Sequence, residues 1–296
     1  MDVRSRFSLL CPLLLVGCAA DPLDETPPDE TLVAGDIVEF DGLALEVPAP
    51  GHSAGLSVET EDGWVSLVVD NTGERVHLER TASNAVDPDR ADDLRASALS
   101  ACSDGAFRLT NRRWRVGMSW MFNASTPSGV DPARAEVLVK RAASNIVTGR
   151  NDCGRADGIS ATTAYKGRTS LAPGAARNHA DETICISDLK SVVGFRSVGD
   201  GFKAATCWWA NVDGELTEAD ISFHPSVAWT TADSIPSSCT TALHFESVAT
   251  HEFGHAFGLN HPGSSHSSLT MQPGAACDNS KVTLGLGDLR GLEEIY

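Results

Sequence analysis

The hydrophobic pattern divides the chain into a first part with strand-like alternation and a later part that also has helical periodicity. Between residues 32 and 80, short runs such as WVSLVVD alternate apolar and polar positions and are separated by turn signals such as Asp62-Gly63. Alternation with a period of two is typical of half-buried β-strands, so this part predicts a small β-rich module. Residues 81–101 are polar and then alanine-rich, which predicts a linker.

The pattern from residue 102 to residue 296 predicts one larger domain. The run WRVGMSWMFNAS predicts a strand, and DPARAEVLVKRAASNIV carries its apolar residues close to one helical face, with Asp131 as N-cap and Pro132 in the first helical position. A second helix is predicted at about residues 240–258, and a last one in GLGDLRGLEEIY. Four further strand-like runs lie between the first two helices: ISATTAYKG, SVVGFRSV, KAATCWWANV and ELTEADISFHP. This order of elements predicts an α+β domain with a twisted mixed sheet.

The first residues predict export. Arg4 and Arg6 precede an apolar run at residues 7–16 that is too short to span a bilayer as a stable helix, which indicates a signal peptide at residues 1–17. Its end, LVGC, resembles a bacterial lipobox, in which the chain is cut before the cysteine and Cys18 takes a lipid. The alternative is an ordinary signal peptide with an incidental cysteine. Residues 18–31 are acidic and contain proline, which predicts a tether.

Charge and localisation narrow the possible partners. The net charge of −17 disfavours binding to nucleic acid, because phosphate backbones repel an acidic chain. We expect a monomer that is lipid-anchored to the bacterial cell envelope, at the outer membrane, or else secreted. The anchor would be its sole membrane contact.

Six cysteines remain outside the signal segment and Cys18. An even number in an exported chain predicts disulfides, and six cysteines allow fifteen pairings. We favour pairing of neighbours; a cysteine-ligated zinc is the alternative, although the chain has no C-x-x-C spacing. The pairs so predicted are Cys102–Cys153, Cys185–Cys207 and Cys239–Cys277.

The segment HEFGHAFGLNH carries the strongest chemical signal. On a helix, His251 and His255 project from one face one turn apart, so both imidazoles can reach one ion. Gly258 can turn the chain sharply and return His261 as a third nitrogen ligand, which leaves a fourth position open for water, as in catalytic zinc sites. The alternative, a core helix that happens to carry histidines, is disfavoured because buried imidazoles are costly unless they are paired or liganded.

These eleven residues resemble the zinc signature of the metzincin metallopeptidases. SSLTMQPG supplies a methionine turn at Met271, and both RRWRVGMSWMFN and LGLGDLRGLEEIY resemble the matrixin branch of that superfamily. The resemblance implies one catalytic Zn²⁺, Glu252 as general base, Met271 as an apolar floor beneath the metal, and hydrolysis of peptide bonds in proteins or peptides. By the same analogy, an extended substrate would pair with an edge strand, for which KAATCWWANV is the candidate, with Trp208 and Trp209 on its rim or in the core.

The chain also departs from the matrixin pattern. Ser222 stands where a ligand of a second, structural zinc is expected, and Asp200, Asp213 and Asp220 are candidate ligands for a possible Ca²⁺. Cys102 could silence the metal as a thiolate, although a disulfide is favoured, and residues 32–80 are either a pro-segment or a spacer. The alternative functions are a non-catalytic metzincin-fold surface lipoprotein used for binding and a zinc hydrolase that acts on other bonds.

Overall fold

A computed structural model describes residues 32–60, 63–83 and 99–296. The predicted signal peptide, Cys18 and the acidic tether lie outside these residues, as does most of the predicted linker. None of the described helices is long and apolar enough to cross a membrane.

The described residues form three α-helices. They are α1 (Pro132–Val147), α2 (Phe245–Ala256) and α3 (Leu286–Ile295), and a short 3-10 turn covers Ser280–Val282. Helix α1 begins as predicted, because the Asp131 side chain accepts hydrogen bonds from the backbone N–H groups of Ala133 and Arg134. Helix α2 begins at Phe245 rather than near residue 240. The residues just before it form a short strand, and the His244 side chain accepts a bond from the N–H of Ser247 as the N-cap.

Sixteen strands are described. Those before residue 84 are β1 (Ile37–Phe40), β2 (Leu43–Glu46), β3 (Ser53–Thr60), β4 (Trp64–Asn71) and β5 (Val76–Ala82). The longer strands that follow are β7 (Met118–Asn123), β8 (Thr163–Thr169), β11 (Ser191–Phe195), β12 (Phe202–Ala210) and β13 (Leu216–Phe223). The short strands are β6 (Arg108–Leu109), β9 (Ala175–Arg177), β10 (Thr183–Cys185), β14 (Trp229–Thr230), β15 (Leu243–His244) and β16 (Leu259–Asn260).

The main sheet has eight strands in the order β5-β4-β3-β12-β13-β11-β7-β8. Its β13-β11-β7-β8 side is parallel and its β5-β4-β3-β12-β13 side is antiparallel, which gives the mixed α+β arrangement that the sequence predicts. A second sheet has the order β1-β2-β10-β9.

The strands before residue 84 are continuous with the sheets of the larger domain. Strand β3 pairs antiparallel with β12, and β2 pairs parallel with β10. The expectation that KAATCWWANV is an edge strand is therefore wrong for the described chain, because β12 has a hydrogen-bonded neighbour on each side. The edge that the family analogy predicts on β12 is filled here by β3, which comes from the segment before residue 84.

Two hydrophobic cores lie on opposite faces of the main sheet. The first packs α1 and α2 on the sheet, and it buries Trp120, Phe253 and Trp208. The second lies between the two sheets and contains Leu56 and Leu67 from β3 and β4. Trp208 is thus a core residue, whereas Trp209 is partly buried against the second core.

The disulfides in the structure are Cys102–Cys153, Cys185–Cys207 and Cys239–Cys277. These are the neighbour pairs that the sequence analysis favours. Cys185 lies on β10 and Cys207 on β12, so this bond joins the two sheets. The sulfur of Cys102 is bonded to Cys153 and is therefore not a free thiolate.

The side chain of Tyr296 forms hydrogen bonds near the C-terminal end of helix α2. The Tyr296 hydroxyl donates to the carbonyl of Phe257 at 3.2 Å and accepts from the N–H of Trp114 at 3.2 Å. Trp114 in turn donates through its indole N–H to the carbonyl of Ala256 at 2.7 Å. These bonds satisfy carbonyl groups that a helix leaves without intrahelical partners at its C-terminus.

We predict that Tyr296→Phe lowers the free energy of unfolding by about 1–2 kcal/mol, because it removes the hydroxyl from two hydrogen bonds and leaves the ring in place. Denaturant unfolding followed by circular dichroism measures this change. A variant as stable as the wild type would show that the hydroxyl does not hold the helix end.

Candidate metal centre

Helix α2 and the turn after it bring three histidines together. His251 and His255 lie one helical turn apart, and their Nε2 atoms are 3.0 Å from each other. Gly258 has a φ of +94°, and a Cβ at this position would lie 2.3 Å from the carbonyl oxygen of Arg112, so only glycine fits the turn. The turn returns His261, whose Nε2 lies 3.2 Å from the Nε2 atoms of the other two.

The other ring nitrogens fix how two of the imidazoles are oriented. Nδ1 of His251 donates to the carbonyl of Thr270 at 2.8 Å, and Nδ1 of His255 donates to the carbonyl of Leu259 at 3.0 Å. Because a carbonyl can only accept, these bonds place the hydrogen on Nδ1 and leave the lone pair on Nε2. Such outer contacts orient the histidine ligands of metal sites.

Burial keeps the three imidazoles neutral, which is the form that binds metals. Removal from water lowers the pKa of His255 to about 4, and it lowers the pKa of His251 and of His261 well below the usual value. The three side chains are at most 2% exposed.

The cluster fits a zinc ion. Zn–N bonds of 2.0–2.1 Å in a tetrahedron separate the ligand nitrogens by roughly 3.3–3.4 Å, close to the 3.0–3.2 Å found here. Without a cation, the Nε2 lone pairs would face one another in a buried place, which is unfavourable. Among the described residues, His251, His255 and His261 form one of two groups whose ligand atoms could hold a metal ion.

The second such group adds two carboxylates to His251. They belong to Glu252, on α2, and Glu59, on β3. Thr206 on β12 donates its hydroxyl to Oε2 of Glu252, while Oε1 of Glu252 is buried without a hydrogen-bond partner. Burial raises the pKa of Glu252, and the charge of Glu59 raises it further. Thr206 therefore leaves one oxygen of Glu252 available for a group beside the histidines.

Three residues from β3 and β4 cover the histidines, and the sequence analysis did not find them. Oε1 of Glu59 lies 3.6 Å from Nε2 of His251, and the Trp64 ring stacks on His261 with centroids 4.3 Å apart. Oγ of Ser66 lies 3.5 Å from Nδ1 of His261. These residues precede the histidines by almost 200 positions in the sequence, as Ser66 and His261 show with a separation of 195. They meet the histidines only because their strands join the main sheet, so no local motif marks them.

The predicted methionine turn lies against α2. A Cβ on Gly254 would be 2.2 Å from the sulfur of Met271, so the glycine allows close packing of Met271 on the helix. The Asp288 side chain on α3 holds this turn by accepting from the N–H groups of Thr270 and Met271 at 2.8 and 3.1 Å.

The remaining candidate metal residues do not assemble a second site. Ser222 is buried and donates its hydroxyl to the carbonyl of Ala175. Asp200 forms an ion pair with Arg177, and the side chain of Asp220 accepts from the N–H of Val192. The backbone N–H of Asp213 donates to Oδ1 of Asn211. None of these residues belongs to a metal-type cluster within the described parts of the chain, so the structure gives no support for Ca²⁺.

Comparison with known proteins agrees with this centre. The family model described as matrixin matches residues 195–296, which include α2, His261, Met271 and α3. A metalloendoproteinase named 1-MMP, from Arabidopsis thaliana, is 40% identical over 68 residues, or 23% of this chain. The match covers 18% of the plant protein.

The mixed sheet, the histidine cluster and these matches support a metallopeptidase. More particularly, they support a matrixin-like family for the C-terminal part of the chain, as the resemblance of the zinc motif predicts. The family implies zinc, and the histidine cluster could bind such an ion.

We predict that the wild-type chain retains about one equivalent of zinc after gel filtration. The His255→Ala variant should retain almost none, because the substitution removes one of the three nitrogen ligands. Elemental analysis of the purified proteins measures this. His77→Ala, in which an exposed histidine is lost, is the control and should keep the metal. Equal zinc in the His255→Ala variant and the wild type would contradict the assignment.

Proposed function

We propose that the protein is a zinc-dependent endopeptidase that hydrolyses peptide bonds of proteins. The observation that carries this proposal is the convergence of three Nε2 atoms beside an unpartnered carboxylate oxygen of Glu252. The match of this segment to the matrixin family supports it. His251, His255 and His261 would hold the ion.

A bound zinc ion would polarise the scissile carbonyl and lower the pKa of a water molecule. Glu252 is the general base: its free Oε1 accepts the proton of the attacking water and later delivers it to the leaving amine. The hydroxyl of Thr206 holds Oε2, so the carboxylate keeps one fixed orientation. Met271, which packs on Gly254, would form the apolar floor under the histidines.

The substrate in this proposal is an extended peptide that pairs antiparallel with β12 in place of β3, which occupies that edge in the structure. Strand β12 carries Thr206 and therefore runs directly beside Glu252. Gln272 and Pro273 follow the methionine turn and would shape the pocket for the side chain after the scissile bond.

The proposed place of action is outside the cytoplasm. The signal-like N-terminus, the lipobox-like sequence that ends at Cys18 and three disulfides all favour an exported protein. We propose a monomer anchored by lipid to the bacterial cell envelope, or secreted, that acts on proteins and not on nucleic acid. The net charge of −17 agrees with this choice.

We predict that Glu252→Gln keeps its zinc and lowers peptide hydrolysis by roughly 10²- to 10⁴-fold, the usual contribution of a general base. The assay follows cleavage of a peptide library by the purified protein. Because residues 32–80 are either a pro-segment or a spacer, the assay is repeated after limited trypsin digestion, which a serine-protease inhibitor then stops. A chelator should abolish the cleavage.

The matched control is Glu294→Gln, which changes an exposed glutamate of α3 and should leave hydrolysis unchanged. Full activity of Glu252→Gln would defeat the role of Glu252. A zinc-loaded wild-type protein that cleaves no peptide in either form would instead favour a non-catalytic binding lipoprotein.

A further inference from the structure

Strands β3 and β4 pair as antiparallel neighbours and lie over the histidine cluster; we call residues 53–60 and 63–71 the cover hairpin. Successive side chains of a strand point to opposite faces, so alternate residues of both strands face the histidines. Leu56 and Leu67 point the other way, into the core between the two sheets. The residues on the histidine side are Ser57, Glu59, Trp64 and Ser66.

The cover hairpin occupies the position that the proposed function gives to the substrate. Strand β3 is antiparallel to β12 over the whole of that strand, from the Ser53↔Ala210 pair to the Phe202↔Thr60 pair. It therefore uses the backbone groups of β12 that an extended peptide would need. A second strand cannot bind the same edge until β3 leaves.

Glu59 is the residue of the hairpin that faces the metal position. Its side chain is 1% exposed, and neither carboxylate oxygen has a hydrogen-bond partner. A buried carboxylate is unfavourable unless a cation or donors compensate it. Oε1 lies 3.6 Å from Nε2 of His251, close to the separation of two ligands on one zinc ion. Glu59 forms a metal-type cluster with His251 and Glu252, which shares His251 with the cluster of three histidines.

Trp64 and Ser66 connect the hairpin to His261. The indole is nearly parallel to the imidazole, with an interplanar angle of 8°, and Oγ of Ser66 faces Nδ1 of the same ring. Oγ of Ser66 also lies 2.9 Å from Oγ of Ser57, so the two strands fix each other's hydroxyl groups. The hairpin thus supplies the outer contacts of His261, as backbone carbonyls do for the other two histidines.

We propose that Glu59 is the fourth protein ligand of the metal and that the cover hairpin blocks the peptide-binding edge of β12. In this state the ion is held by three nitrogens and one carboxylate oxygen, and neither water nor substrate reaches it. The blocking role rests on the proposed function, whereas the ligand role of Glu59 rests on the metal site alone. Cys102 is unavailable for such a role because it is bonded to Cys153.

The ligand role is tested on the full chain loaded with Co²⁺, whose visible spectrum reports the ligand set. Glu59→Gln keeps the shape of the side chain and removes its charge. It should alter the spectrum and weaken Zn²⁺ binding by about tenfold or more in competition with a chromophoric chelator, because even outer contacts of metal ligands contribute roughly 10- to 100-fold.

The control is Glu74→Gln, at an exposed glutamate in the turn after β4, which should match the wild type in both measurements. Circular dichroism of the metal-free proteins verifies folding, and Glu59→Gln should be at least as stable as the wild type because it removes a buried carboxylate that has no hydrogen-bond donor. An unchanged Co²⁺ spectrum and an unchanged Zn²⁺ affinity would overturn the ligand role.

The blocking role is tested with acetohydroxamate, a small metal-binding probe, on the same Co²⁺-loaded proteins. The wild type should show no spectral change on addition of the probe, whereas the Glu59→Ala/Trp64→Ala variant should show one. The same variant should hydrolyse peptides at least about tenfold faster than the wild type. A tenfold change corresponds to about 1.4 kcal/mol of lost blocking contacts. Equal response of the wild type and the double variant to the probe would overturn the blocking role.

The outcomes separate the two proposals. If the wild type already binds the probe and cleaves peptides as fast as the double variant, the blocking role fails and the peptidase assignment stands. If the double variant binds the probe and no form cleaves any peptide, the peptidase assignment fails and the closed metal site stands.

Discussion

A buried convergence of nitrogen lone pairs is the constraint on which the rest of the structure depends. Three neutral imidazoles form one buried cluster, the carboxylates of Glu59 and Glu252 form a second cluster that shares His251, and these two carboxylates keep three oxygens without hydrogen-bond partners. Such an arrangement is unfavourable by itself and becomes favourable around a divalent cation. The turn at Gly258, the Asp288 contacts of the methionine turn and the Thr206 hydroxyl all position groups around that point.

The strands before residue 84 are part of the main sheet and contact the same cluster. Their apolar face completes the core between the two sheets, and their polar face closes the histidine cluster. In the proposed closed state, this one segment contributes both to stability and to control of access. In this interpretation, the segment is more than a spacer between a membrane anchor and a catalytic domain, and its removal would expose the metal and an apolar sheet face together.

Local signals in the sequence predicted much of the site and little of its cover. The three histidines are close in sequence, and a helix followed by a glycine turn brings them together, so spacing alone indicated their convergence. The start of α1 at Asp131 also follows from local capping chemistry. The contact of Glu59 and Trp64 with the histidines depends on the pairing of β3 with β12, a long-range choice that no motif encodes. For the same reason β12 was wrongly expected at an edge, and α2 was extended over residues that instead form β15.

X-ray absorption at the zinc edge of the full-length protein tests the central claim most directly. The account predicts zinc bound by three imidazole nitrogens and one carboxylate oxygen at about 2.0–2.2 Å, with no sulfur in the first shell. A first shell that contains sulfur, or a protein that holds no zinc after it is folded in the presence of the metal, would contradict the account.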